Sequence, residues 1–189
     1  MAGKIRILNL PPVILNEVKN LLPYFLSLLC LLSCIKEKQT GADLAIGDPI
    51  PDFSVTMNDG TVVTGEELRQ GVSCIMFFTT ACPDCRQTLP HVQSFYDDFS
   101  GKGVTFALIS REEGLESIQT YWTEQNFTMP YSAQTDRRIY ELFAQTRVPR
   151  IYICKNGLIR AVFTDNPNPT YEDLVQVLCV EPHLEGGGF

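Results

Sequence analysis

Two continuous apolar runs stand out along the chain, Ser73 to Thr79 (SCIMFFT) and Val104 to Ile109 (VTFALI). Runs of this length without polar alternation predict strands buried on both faces. Between them, Leu89, Val92, Tyr96 and Phe99 recur at helical spacing, with Phe95 beside them. That is one apolar stripe facing a sheet. Pro90 lies inside this helix, which predicts a kink, and Gly101 and Gly103 end it. Upstream, Gly47 to Val55 is turn-rich and then extends. Asn58-Asp59-Gly60 predicts a hairpin turn into a short strand at Thr61 to Thr64. Gly65 to Gln70 fits a helical turn. Downstream, the pattern predicts a helix over Leu115 to Gln125, an extended piece over Tyr131 to Gln134, and a helix over Arg137 to Gln145 with Ile139, Leu142 and Phe143 inward. A strand then follows Pro149. Asn156-Gly157 turns the chain into a returning strand, Leu158 to Phe163, and Tyr171 to Val180 forms a last amphipathic helix. The order is hairpin, βαβ, then antiparallel ββα, which predicts an α/β domain: a mixed sheet with helices on both faces.

The front of the chain has a different pattern. The apolar block Leu21 to Ser33 is about 13 residues long, short of the roughly 20 that a spanning helix needs. Lys4, Arg6 and Lys19 precede it and polar residues follow abruptly, as around a signal-peptide core. The block ends Leu31-Leu32-Ser33-Cys34, which resembles the lipobox of bacterial lipoprotein signal peptides. The resemblance implies that Cys34 is lipidated and becomes the first residue, tethering the protein by acyl chains. Residues 1–33 are then a lipoprotein signal peptide and residues 34–44 a polar, flexible tether.

Composition narrows the function classes. The chain has 189 residues, 44% hydrophobic and 20% charged, enough for a real core. Its formal charge is −7 and no cluster of five Lys or Arg occurs, which argues against a nucleic-acid partner. Seven cysteines are too few for a disulfide-dense scaffold, so their positions matter more than their number.

Cys82 and Cys85 form a Cys-Pro-Asp-Cys pair directly after the first apolar run. Structural zinc needs four ligands, and the sequence has no second such pair. His91 and His183 read as surface or helix-end residues without a partner at ligand spacing. No metal or other cofactor is expected. A disulfide closing so short a loop removes little chain entropy, so it is a poor staple. It is a good switch, because both thiols are held close. The pair lies at a strand-to-helix junction, where helix-end N–H groups favour a thiolate. Cys82 is the expected exposed nucleophile and Cys85, one turn in, the buried resolving thiol. Pro83 suits the first turn, while Asp84 opposes a thiolate by like charge.

CPDC after an apolar strand, Pro90 five residues after Cys85, and Val148-Pro149 before a late strand together resemble the thioredoxin fold. More narrowly, they are similar to the tethered TlpA/ResA-type (AhpC/TSA-related) thiol-disulfide oxidoreductases. The GDPIPDF opening and the insert near Leu115 to Gln134 are shared with that group and with peroxiredoxins. The resemblance implies a thioredoxin-like domain over 45–182, with an N-terminal hairpin, a central helical insert, and a disordered tail at 183–189. It implies that Pro149 is cis beside the cysteines and that the Val148 backbone pairs with an extended substrate. It implies protein thiol or disulfide clients, an upstream membrane electron donor, a monomer, and a place in the bacterial cell envelope facing the periplasm. The chain departs from the pattern at Ala81, where relatives often have Trp, at Thr88, where they often have Glu as a proton acceptor, and at Met76, in place of a buried acid. Thr79, three residues before Cys82, also matches part of a peroxidatic Thr-x-x-Cys pattern, so a peroxiredoxin-like peroxidase is one alternative. A thiol-based metallochaperone for Cu(I) is another. Aligned on Cys82 and Pro149, Cys74 and Cys154 come out roughly opposite each other, either as two unlinked core residues, the favoured reading, or as a second dithiol, and Cys179 is expected in the core.

The lipobox makes a direct prediction. Native protein is expected to begin at Cys34 with a mass increment for acyl chains, and Cys34→Ser is expected to lose lipid labelling and membrane retention, as read by intact mass and fractionation.

Overall fold

The computed structural model of the protein describes residues 41–179. The expectations for 1–33, for most of 34–44, for Cys34, for Val180 to Glu181 and for 183–189 with His183 lie outside the described residues.

Strand β3 (Val72–Phe78) is the centre of the fold. It follows a small antiparallel pair, β1 (Ser54–Thr56) and β2 (Val62–Thr64), and the one-turn helix α1 (Gly65–Leu68). Helix α2 (Pro83–Phe99) leads to β4 (Val104–Ser110). Helix α3 (Leu115–Gln125), β5 (Tyr131–Ser132) and the one-turn α4 (Arg138–Glu141) come next, then β6 (Arg150–Lys155), β7 (Leu158–Phe163) and α5 (Tyr171–Cys179). The main sheet runs β5-β4-β3-β6-β7. β3, β4 and β5 are parallel, while β6 is antiparallel to both β3 and β7. This is the mixed sheet that the apolar pattern predicts.

The apolar run of β3 is explained by burial on both faces. On one face Phe78 meets Trp122 of α3, with centroids 5.1 Å apart. The same face of β4 packs Phe106 against Phe95 and Tyr96 of α2. On the other face Phe77 contacts Tyr140, Phe143 and Tyr152. Helices α2, α3 and α5 therefore cover one side, and α1, α4 and an aromatic cluster cover the other. Asn156 and Gly157 both have positive φ, 51° and 81°, as a tight hairpin between β6 and β7 requires.

Three expectations change. The predicted helix over 137–145 shrinks to Arg138–Glu141, because the Leu142 and Phe143 N–H groups bond only three residues back and the Gln145 N–H is taken by the Asp43 carboxylate at 2.8 Å. Leu142 is consequently exposed rather than inward. Cys74 lies opposite Ile153, and Cys154 lies opposite Ser73. One residue of register puts the two thiols on opposite faces of the sheet, so they do not form a second dithiol. Burial raises both; Cys154 is pushed up to about 12. Cys179 is exposed at the end of α5 rather than in the core.

The chain enters the domain already fastened. Asp43 accepts from the Arg150 guanidinium at 2.8 Å and from the Gln145 N–H at 2.8 Å, and Leu44 is buried. No described helix is long and apolar enough to cross a membrane.

Phe77 is fully buried among three rings. Phe77→Ala is expected to cost about 3–5 kcal/mol of stability, measured as a lowered denaturant midpoint with unchanged slope.

Candidate functional site

Each element at the C-terminal end of β3 brings one part of the site. Beyond Phe78 the chain leaves the sheet as Thr79-Thr80-Ala81 and enters α2 at Cys82, which is its N-cap residue. Pro83 occupies the first helical turn, where its missing N–H costs nothing. Cys82 is half-buried and Cys85 is buried.

Antiparallel pairing of β3 with β6 sets Arg150 opposite Phe77 and so brings Val148 and Pro149 beside the cysteines. The Val148-Pro149 peptide bond is cis. The Cys82 thiol makes no cap bond to its own helix. It donates instead to the Val148 carbonyl oxygen, with Sγ and O 3.3 Å apart. Cys82, Cys85, Pro83, Asp84, Thr79, Val148 and Pro149 thus converge. Thr88 lies one helical turn beyond Cys85, fully buried, and its hydroxyl has no protein partner. Met76 is fully buried in the sheet, and Ala81 is exposed.

Burial is the main reason the Cys85 thiol is held well above its ordinary range. The Thr79 backbone acts the other way. The neighbouring Cys82 sulfur raises it further, and the Arg111 guanidinium lowers it. Cys85 is thus held as the neutral thiol, on the buried side of Cys82.

Four further residues shape the site, and sequence reasoning did not single them out. The Glu113 carboxylate accepts from the Thr80 N–H at 2.6 Å and from the Thr80 hydroxyl, pinning the loop before Cys82. Asn168 donates to Asp84 at 3.0 Å and to Gln87 at 2.9 Å, turning the Asp84 carboxylate toward the side chain of Asn168. The Tyr140 hydroxyl donates to the Arg147 carbonyl at 2.7 Å, just before Val148. Arg111 follows the end of β4. None belongs to a periodic pattern, and only the contacts reveal them. A groove of about 790 Å³ lies alongside, lined by Thr80, Arg86, Leu115, Tyr121 and neighbours from α3. Arg86 bridges it, bonding the Thr80 carbonyl and lying over the Tyr121 ring. Among the described residues no group of three or more metal-ligating side chains occurs.

The AhpC/TSA family model matches residues 46–167, a span that contains the hairpin, the cysteine pair and Pro149. The chain is 25% identical over 146 residues to a thiol-disulfide oxidoreductase ResA of Oceanobacillus iheyensis, covering 75% of this chain and 70% of that one. Its fold is similar to that of a thiol:disulfide interchange protein from Chlorobium tepidum, with a TM-score of 0.61 at 22% identity over 72% of this chain and 97% of the other. It is similar also to the thioredoxin domain of a thiol-disulfide oxidoreductase from Bacteroides vulgatus, with a TM-score of 0.61 at 21% identity over 72% and 96%.

Removing the Glu113 carboxylate leaves the buried Thr80 N–H without its acceptor. Glu113→Ala is expected to cost about 1–3 kcal/mol, and Glu113→Gln, which keeps one acceptor oxygen, less. Chemical denaturation of the reduced proteins checks the order.

Proposed function

The chain belongs to the AhpC/TSA family, and from that premise we propose that it is an extracytoplasmic, membrane-tethered thiol-disulfide oxidoreductase that works through Cys82 and Cys85. The observation that carries the reading is the half-buried Cys82 thiol, 3.3 Å from the Val148 carbonyl, with Cys85 buried behind it. An accessible sulfur with a reserve sulfur behind it is the pair that disulfide exchange needs. The ResA relative carries the same activity in its name.

In the reducing direction, the Cys82 thiolate attacks one sulfur of a client disulfide. A Cys82–client S–S bond forms, the client bond breaks, and the second client sulfur leaves as a thiolate that takes a proton from solvent. Cys85 then loses its proton and attacks the Cys82 sulfur. The internal disulfide forms, the first client sulfur leaves with the electron pair, and two electrons have passed to the client. An upstream membrane donor restores the dithiol. Val148 and Pro149 present the backbone against which an extended client segment lies, while Pro83, Asp84, Thr79 and Thr88 set the surroundings of the pair. The clients are exported proteins with paired cysteines. The lipid at Cys34 supplies the tether, and the domain acts as a monomer in the periplasm-facing cell envelope.

Cys85→Ser is expected to accumulate mixed disulfides through Cys82 in the native host, while Cys82→Ser accumulates none. Wild-type protein is expected to reduce insulin disulfides with a chemical reductant and to leave hydrogen peroxide largely unconsumed. Rapid peroxide turnover without disulfide exchange would establish the peroxidase reading instead.

A further inference from the structure

The groove beside the cysteine turn has a chemistry that the exchange step does not use. It starts at Thr80, two residues before Cys82, and reaches Arg86, one residue past Cys85. Its far wall is helix α3, which follows β4, so it lies on the β4 side of the turn. Val148 and Pro149 come from the β6 side. Glu116, Thr120 and Glu124 of α3 line it as a stripe at i, i+4 and i+8, with Leu115 at the head. The sheet-facing residues of α3, Ile118 and Trp122, are buried, whereas Leu115 is 54% exposed. Leu115 is therefore apolar surface that the core does not claim.

Most polar groups of the lining are already satisfied within the protein. The Ser117 hydroxyl donates to the Gly114 carbonyl at 3.2 Å and the Thr120 hydroxyl to the Glu116 carbonyl at 2.9 Å. Arg86 is held by the Thr80 carbonyl and the Tyr121 ring. The two carboxylates differ. Neither Glu116 nor Glu124 takes part in an ion pair among the described residues. Two unpaired carboxylates against one engaged guanidinium leave the groove net negative, so an anionic lipid or nucleic acid would be repelled. Eight helical residues rise about 12 Å, which sets the carboxylates too far apart to share one metal ion. An extended chain rises about 3.3 Å per residue, and its side chains four positions apart share one side at about 13 Å. The two spacings match.

We propose that this groove is a specificity site for the client. It takes an extended segment flanking the client's reactive cysteine, with basic side chains four residues apart facing Glu116 and Glu124 and with Leu115 offering apolar contact. The inference rests on the dithiol reading above and names the class of client that reading leaves open. The groove is continuous with the reactive centre, because Thr80 and Arg86 bracket the cysteine pair. Attraction by exposed carboxylates acts mainly on encounter, so the selection lies in the rate of attack by Cys82 and falls with salt.

The test uses the full chain, reduced, and three peptides, each dimerised through one central cysteine. They carry two lysines, two glutamines or two glutamates four residues apart, beside an invariant leucine. Attack by Cys82 releases one peptide thiol and resolution by Cys85 releases the second. Acid quenching and chromatography give the rate of the first release. At low ionic strength the lysine peptide is expected to react about fivefold faster than the glutamine peptide, and the glutamate peptide more slowly than both. High salt is expected to remove the order. In the double variant Glu116→Lys with Glu124→Lys the order is expected to reverse, which a loss of structure does not produce. If that variant does not fold, Glu116→Gln with Glu124→Gln decides, its lysine preference being expected to vanish. Preference is a ratio within each variant, so altered sulfur reactivity cancels. Equal rates for the three peptides in the wild type, or a wild-type preference kept in either double variant, overturns the inference. Dipyridyl disulfide reports on the sulfurs alone. Failure of the wild type to reduce it overturns the dithiol reading itself, so the two failures are distinct.

Discussion

Strand β3 is hydrogen-bonded along both edges, parallel to β4 and antiparallel to β6, and this double pairing sets the position of every group near the cysteines. The β4 edge places Arg111 and Glu113 beside the loop that follows Phe78. The β6 edge places Val148 and Pro149 against Cys82. Neither edge can shift independently, because Met76, Phe77 and Phe78 are buried on both faces and a slip of one residue would turn each of them to the wrong side. The rigidity of the site is thus a property of the sheet, even though the cysteines sit in a loop and a helix end.

The sequence made the frame visible and hid the electrostatics. Continuous apolar runs identified β3 and β4, the Asn156-Gly157 pair identified the β6–β7 turn, and helical spacing identified α2 and α5. All of these are local signals in which several residues repeat one message. The cysteine pair was legible because its spacing left few uses. Arg111, Glu113, Tyr140 and Asn168 were not legible. Each is a single polar or aromatic residue near an element end, and its role depends on a partner 7 to 84 positions away, as Asn168 does on Asp84 and Tyr140 on Arg147. The helix after Arg137 stops short for a related reason: its apolar spacing is real, but the distant Asp43 carboxylate claims the Gln145 N–H. Counting residues from Cys82 and Pro149 failed for Cys74 and Cys154, because the links from each strand to its landmark differ in length.

The missing acid of the resemblance also takes a physical meaning. Thr88 is buried with an unpartnered hydroxyl, so the environment behind Cys85 holds no second negative charge. A carboxylate there would compete with a thiolate by like-charge repulsion when ionised.

The fastening of Asp43 to Arg150 bears on mechanics. The Arg150 side chain is only 7% exposed and the ion pair closes at 2.8 Å, one residue beyond Pro149. The first described residues therefore join the domain at the end of the sheet that carries the cysteine pair, on the strand that follows the cis peptide. A pull on the leading segment is borne first by that strand, before it reaches the helices.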